Sequence, residues 1–371
     1  PRGGDRVNDA AIHALMTRAV RLAVRGHGGA EPNPMVGCVI ARDDGTVVAE
    51  GFHARCGGPH AEAAALAAAG PLARGATAIV TLEPCNHHGR TGPCSEALLR
   101  AGVARVIYAV ADPNPQAAGG AAHLRAAGVE TRHFAHEGAH ELARPFVKRV
   151  TSGLPWVMAK WAQSIDGKTA LSSGESQWIS GGRSRAMVHR ERGRVDAIMT
   201  GIGTVLEDDP RLTARGARLG RVARRVVFDP ACETPLSAQV CDGATPTTLL
   251  VAQDLDARAR DRRQRLAARG VGFIELGRAL SIEPALRALA SEGVATVLVE
   301  SGGGLTGRLL GERLLDEAWV FVGPLVIGDT AAPGAVRGLD PRVLAAIPRA
   351  RLLGVRRRGG DALLHYRFAS P

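Results

Sequence analysis

The sequence predicts two α/β domains in tandem. Its 371 residues exceed what a single ordinary domain uses. Short β-branched runs alternate with alanine-rich helical stretches in both halves. A turn-rich stretch, FVKRVTSGLPW at 146–156, interrupts that alternation, and a new strand begins within it. The boundaries drawn from this are 1–149 and 150–371.

In the first half, residues 35–41 and 46–53 read as a strand pair around the turn RDDG. Residues 60–70, HAEAAALAAAG, form a helix that its final glycine stops. A strand at 76–82, a helix at 94–102, a strand at 104–110, a helix at 121–128 and a last strand at 129–134 follow. The second half opens with a strand at 156–164 and a helix around 183–193. Strands at 195–201, 224–229 and 247–253 come next. A long helix, the segment 271–276, a helix at 282–293 and a strand at 294–300 complete the alternating part. Residues 318–328 and 361–368 read as further, antiparallel strands.

Hydrophobic content of 45% and charged content of 22% fit an ordinary globular protein, and no run of eighteen apolar residues appears. No membrane span and no secretory signal are read, so the expected compartment is the cytoplasm. The chain begins with Pro1. The net charge of +11 raises nucleic-acid binding. Against it, the basic residues are arginines spread along the chain, apart from Lys148, Lys160 and Lys168. Their one concentration, 256–270, is broken by acids and alanines and reads as a solvated helix face. Small phosphorylated anions suit such a field, and nucleic acid is not the expected partner. With six cysteines and no export signal, clustered cysteines point to metal or catalysis before disulfides.

One such cluster lies between PHAEAAAL (59–66) and TLEPCNHHGRTGPC (81–94). A histidine two residues before a glutamate, then proline-cysteine, then a second cysteine is the order of a zinc deaminase. His60, Cys85 and Cys94 would supply three ligands, leaving one position for water. His60 and Cys94 each open a helix, where N–H groups favour thiolates. Glu62, the catalytic candidate, can lie beside the metal and move protons between water and the leaving amine. His87 and His88 compete as ligands but rank lower, because Cys94 is the natural helix start. Eight residues separate the cysteines, where the commonest deaminase spacing has two. That polar loop carries Arg90, which suits a phosphate, although a solvent-facing arginine reads the same way.

These stretches, with EPNPMVGCVI (31–40), GFHARCGGPHAE (51–62) and ADPNPQ (111–116), resemble the deaminase half of the RibD family of bifunctional riboflavin biosynthesis enzymes. The resemblance implies a cytidine-deaminase-like α/β/α domain. It also implies a diaminopyrimidinone substrate carrying a phosphoribosylamino group. Asn33, His53, Arg90, Asp112 and Asn114 match that family's substrate contacts. Gly92 stands where the family often has proline.

In the second half, SGGGLTGRLL (301–310) follows a buried strand and opens a helix, so its N–H groups could approach a phosphate. A tight strand-to-helix turn would look the same. The polar loop at 164–180 ends in Ser176 and Trp178, the tryptophan being either a stacking residue or a core anchor. GIGTVLEDDPRLTAR (201–215) combines a glycine turn, an acidic pair before proline, Arg211 and Arg215. Together these resemble the family's reductase half, which has a dihydrofolate-reductase-like α/β fold. The resemblance implies that NADPH meets Ala162, Trp178, Thr204, Asp208 and the turn formed by Gly302, Gly303, Gly304, Leu305, Thr306, Gly307 and Arg308. It implies that substrate meets Lys160, Ser176, Arg192, Leu212, Arg215 and Glu300. Pro230 replaces a serine that relatives often carry, removing a hydroxyl contact.

The expected protein is a zinc- and NADPH-dependent enzyme and a homo-oligomer. It deaminates a small phosphorylated pyrimidine, then reduces its ribosyl group to ribityl. The competing reading is a nucleic-acid or nucleoside deaminase with a non-catalytic C-terminal binding domain. The wide cysteine gap and Arg90 speak for a small phosphorylated substrate.

Overall fold

A computed structural model describes residues 8–88, 92–217 and 219–369. The chain divides into two compact units, one ending at Gly153 and the other starting at Leu154.

The first unit is a five-stranded sheet in the order β2-β1-β3-β4-β5. Its strands are β1 (Gly37–Ala41), β2 (Val47–Phe52), β3 (Thr77–Val80), β4 (Arg105–Tyr108) and β5 (Glu130–His133). β1 runs antiparallel to β2 and β3, while β3, β4 and β5 are parallel. Helices α2 (Ala61–Ala69), α3 (Cys94–Arg100) and α4 (Gly120–Ala126) pack in series. α1 (Asp9–Ala23) packs with α5 (Glu137–Ser152). Asn8 caps α1 by accepting from the Ala11 N–H at 2.9 Å, and Ile12, Met16 and Ala19 turn its apolar stripe into the core. The alanines of α2 let it sit so close to β2 that a Cβ at Gly51 would lie 2.3 Å from the Ala61 carbonyl oxygen. α4 begins equally tightly, since a Cβ at Gly120 would stand 1.8 Å from the Pro84 oxygen. The start of α4 is thereby fixed against the turn that carries Cys85.

The stretch read as a linker from residue 146 is helical to Ser152, and only Gly153, with φ of 68°, ends the helix. Pro145 inside α5 and the SGLP turn behind it hid that helix.

The second unit is a nine-stranded sheet in the order β10-β9-β8-β7-β11-β6-β12-β14-β13. The strands are β6 (Trp156–Gln163), β7 (Ala197–Gly201), β8 (Arg224–Phe228), β9 (Thr247–Ala252), β10 (Gly272–Leu276), β11 (Thr296–Val299), β12 (Glu317–Val322), β13 (Ala350–Arg358) and β14 (Asp361–Phe368). All neighbours from β10 to β12 are parallel; β14 pairs antiparallel with β12 and β13. The helices are α6 (Gly182–Arg192), α7 (Ile202–Asp208), α8 (Ala257–Ala267), α9 (Glu283–Ser291) and α10 (Gly303–Gly311). Central strands are apolar on both faces, as parallel sheets require. Val297 and Val299 join one core with Leu286 and Leu309, while Leu298 between them joins another with Ile198 and Leu249. α8 buries only Ala259 and Leu266, so its arginines form the solvated face expected of them.

The C-terminal strands differ in part from expectation. The strand expected over 318–328 stops at Val322 and runs parallel to β6, becoming antiparallel only toward β14. β13 was not anticipated. Among the described residues no helix is long and apolar enough to cross a membrane.

Candidate active sites

The first site is built where two helices start. His60 is the N-cap of α2, and Cys94 is the first residue of α3. Their side chains meet Cys85, which follows β3 in the chain. His60 Nδ1 lies 3.5 Å from Cys85 Sγ and 3.3 Å from Cys94 Sγ, and the Cys94 N–H donates to Cys85 Sγ at 3.4 Å. The three ligand atoms lie within 4.8 Å of one another. A tetrahedral zinc shell sets donor–donor edges of roughly 3.5–3.8 Å, so the donor set fits zinc. The hydrogen bond from the Cys94 thiol, then His60 and the Cys94 N–H, hold Cys85 down to about 4, while Cys94 is pushed up. A divalent cation bound by the two sulfurs would displace their thiol protons.

Glu62 lies in the first turn of α2 and is 3% exposed. Burial pushes its carboxyl up to about 7, with the nearby Cys85 charge adding to the rise. It shares a cavity of about 200 Å³ with Asn33, His53, His60, Cys85, Asp112 and Asn114. His53 Nδ1 donates to the Pro59 oxygen at 2.9 Å. Nε2 of the neutral ring therefore accepts from Asn33 Nδ2, at 3.3 Å. Burial lowers the His53 pKa, which favours the neutral ring. Glu83 anchors the 112–114 loop: one oxygen accepts from the Asp112 N–H at 3.2 Å, the other from the Ala121 N–H at 3.0 Å. Asp112 then accepts from the Asn114 N–H at 2.9 Å. His87 lines the cavity outside the three-ligand group, and His88 turns to Glu96 at 3.4 Å. Arg90 lies outside the described residues. Sequence reasoning missed Phe146, Arg149 and Val150 of α5, which form part of the wall. Their signal was the apolar spacing Ala139, Ala143, Phe146, Val147, Val150, obscured by the turn behind it.

The second site is a cleft of about 720 Å³ outside the carboxyl ends of β6, β7 and β11, where open parallel sheets hold ligands. It brings together Lys160, Ala162, Ser176, Trp178, Arg192, Thr204, Asp208, Leu212, Arg215, Glu300, Gly302 and Gly303. Glu300 follows β11, with its N–H on the Met199 oxygen and its carbonyl taking the Thr200 hydroxyl. Arg192, in the last turn of α6, reaches its carboxylate with two nitrogens. Lys160 Nζ stands 3.8 Å from the same carboxylate. Burial lowers the Lys160 pKa, and Glu300 only partly offsets that. Trp178 is 66% exposed, with the Arg185 guanidinium 4.3 Å from its ring centroid.

The glycine turn has two functions that sequence alone could not separate. A Cβ at Gly303 would meet the Gly334 oxygen at 2.7 Å, and one at Gly307 the Arg337 oxygen at 1.8 Å. These glycines admit the 334–337 segment. Gly302 and Gly304 face open space, and their N–H-bearing turn, with the size of the cleft, fits a dinucleotide phosphate. Gly304, Leu305, Thr306, Gly307 and Arg308 do not line the cleft. Leu305 turns into the core, and Arg308 pairs with Glu312 at 3.0 Å. Pro230 is also absent from the lining. Arg185, Arg211 and Arg337 line the cleft unforeseen as contacts.

Comparison with known proteins finds a match for each unit. Residues 10–110 match the cytidine and deoxycytidylate deaminase zinc-binding region, and residues 155–364 match the RibD C-terminal domain. The riboflavin biosynthesis protein RibD of Escherichia coli is 39% identical over 94% of this chain and 97% of its own length. That of Bacillus amyloliquefaciens is 37% identical over 94% of each. The structure of Acinetobacter baumannii RibD superposes with a TM-score of 0.85 at 36% identity, covering 98% of this chain and 100% of that one. A Thermotoga maritima structure described as a diaminohydroxyphosphoribosylaminopyrimidine deaminase and phosphoribosylaminouracil reductase gives 0.84 at 31% identity, covering 97% and 99%. With a zinc-deaminase half, a reductase half and matches that span nearly its whole length, the chain belongs to the RibD family of bifunctional riboflavin biosynthesis enzymes.

Proposed function

We propose that the first site deaminates a diaminopyrimidinone bearing a phosphoribosylamino group, and that the second reduces the ribosyl group of the resulting uracil to ribityl with NADPH. The observation that carries this reading is the His60–Cys85–Cys94 triangle with buried Glu62 in the same cavity.

His60, Cys85 and Cys94 hold zinc. When bound, zinc supplies a Lewis acid that makes hydroxide available near neutral pH. Glu62 takes a proton from the attacking water and passes it to the departing amine. Asn33, His53, Asp112 and Asn114 orient the ring, and Arg90 meets the phosphate. In the cleft, Ala162, Trp178, Thr204, Asp208 and the segment from Gly302 to Arg308, the N-cap and first turns of α10, hold NADPH. NADPH, when bound, supplies the hydride for the sugar carbon. Lys160, Ser176, Arg192, Leu212, Arg215 and Glu300 hold that carbon in place and exclude water.

The protein works in the cytoplasm as a homo-oligomer. Supporting the latter, β13 is the outer strand of its sheet, and Leu352 and Val355 on it are exposed. The division into working halves falls near residues 149–153.

The test supplies the purified protein with the diaminopyrimidinone and NADPH. Ammonia release should precede loss of NADPH absorbance. Ammonia without NADPH oxidation would remove the reductase half of the reading, and neither signal would remove both halves.

A further inference from the structure

We propose that Arg149 is a further substrate-binding residue of the deaminase cavity, where it receives the substrate's phosphate in addition to Arg90. This rests on the reading that the substrate is a phosphorylated pyrimidine.

Arg149 sits in the last turn of α5 and lines the same cavity as Asn33, His53 and Glu62. One arm is occupied: Nη2 donates to the Pro32 oxygen at 3.1 Å, on the loop that carries Asn33. Nε is buried and has no hydrogen-bond partner among the described residues. No carboxylate among them pairs with the guanidinium. Two of the cavity's acids are committed elsewhere, with both oxygens of Glu83 on backbone amides and Asp112 on the Asn114 N–H. Burial holds the Arg149 pKa below its usual value. A permanent cation that is partly desolvated and unpaired is unfavourable until a ligand supplies the opposite charge. A phosphate suits it, because the guanidinium offers two parallel donors to two phosphate oxygens.

Size places the phosphate at the opening. A cavity of about 200 Å³ takes a pyrimidine ring but not a sugar phosphate as well. The phosphoribosyl arm must leave through the mouth. Arg149 lines the cavity yet is partly exposed, within electrostatic range of exposed Cys56. The same residue thus steadies the Asn33 loop with one arm and meets the substrate's charged tail with the rest.

Steady-state ammonia release by the full-length, zinc-loaded protein tests this, using the phosphorylated substrate and its dephosphorylated analogue. Arg149→Gln should raise KM for the phosphorylated substrate roughly 10–100-fold, the range of a charge-assisted hydrogen bond. KM for the analogue should change by less than about threefold, so that the two substrates separate. Inorganic phosphate should inhibit the wild type and lose potency in Arg149→Gln, and Arg149→Lys should recover part of the loss. Equal losses on both substrates, or a loss confined to kcat, would overturn the proposal and leave Arg149 a clamp on Pro32. Absence of ammonia release by the wild type would overturn the functional reading beneath it, a distinct outcome. Should Arg149→Gln fold poorly, wild-type inhibition decides: no competition by phosphate overturns the proposal.

Discussion

Arg192 grips both carboxylate oxygens of Glu300, Nε to Oε1 at 2.6 Å and Nη2 to Oε2 at 2.9 Å, while Nη1 donates to the Thr213 oxygen at 3.1 Å. The pair crosses the floor of the cleft from α6 to the end of β11, so it is both a wall of the site and a brace between two elements. Removing one partner leaves the other charge in a buried place. Arg192→Ala should destabilise the second unit by about 3–5 kcal/mol, the usual cost of breaking a buried pair. Denaturant unfolding followed by a probe in that unit measures it. A change within experimental scatter would show that solvent already screens the pair.

The same pair makes stability depend on acid. Burial alone would raise the Glu300 carboxyl, but Arg192, Lys160 and His189 together hold it below its ordinary value of 4.5. A carboxyl depressed by folding contributes stability that is complete above 4.5 and is lost as pH falls through the folded value. The unfolding free energy of the wild type should therefore fall below pH 4.5 more steeply than that of Glu300→Gln. Parallel curves for the two proteins would contradict this.

Metal loss should be selective. Cys94→Ala removes one sulfur from the proposed donor set while keeping the backbone N–H that bonds Cys85 Sγ, so zinc content should drop well below one per chain. Ammonia release should fall with it by at least ~10². Elemental analysis that still finds full zinc occupancy would remove Cys94 from the ligand set.

The two chemistries should be separable. Glu62→Gln keeps size and hydrogen bonding but removes the proton carrier, and such losses typically reduce rate ~10²–10⁴-fold. Reduction of externally supplied deaminated intermediate should stay near the wild-type rate. Glu300→Ala should do the converse, crippling reduction while ammonia release continues. If Glu62→Gln lost most of its reductase activity while folded and zinc-loaded, one composite site would have to replace two.

Legibility in the sequence followed how narrowly physics limits the residue choice. Zinc accepts few ligand types, so His60, Cys85 and Cys94 stood out, and the structure brings them together. The strands β7, β8, β9 and β11 were legible because a sheet buried on both faces demands continuous apolar runs. α5 was not, because Pro145 and the SGLP turn imitate a linker. β13 was not, because an edge strand rich in arginine has no buried face to impose alternation. Gly303 and Gly307 were ambiguous for another reason: glycine is written alike whether a phosphate or a passing backbone needs the room. Arg337, whose carbonyl takes that room at Gly307, lies thirty residues on, and no local pattern announces it.

The course of α5 bears on where the gene can be divided. A stop codon placed after residue 149 would look harmless on paper, since it falls in what reads as a connector. It would delete Val150 from the cavity wall and the Gly153 N–H that donates to the Arg149 carbonyl oxygen at 3.0 Å. The truncated product would keep every zinc ligand and Glu62, yet its last helical turn, carrying Arg149, would fray. Anyone expressing the deaminase half by itself should cut beyond Gly153, and a pair of clones ending on either side of that glycine would report directly on what the final turn contributes.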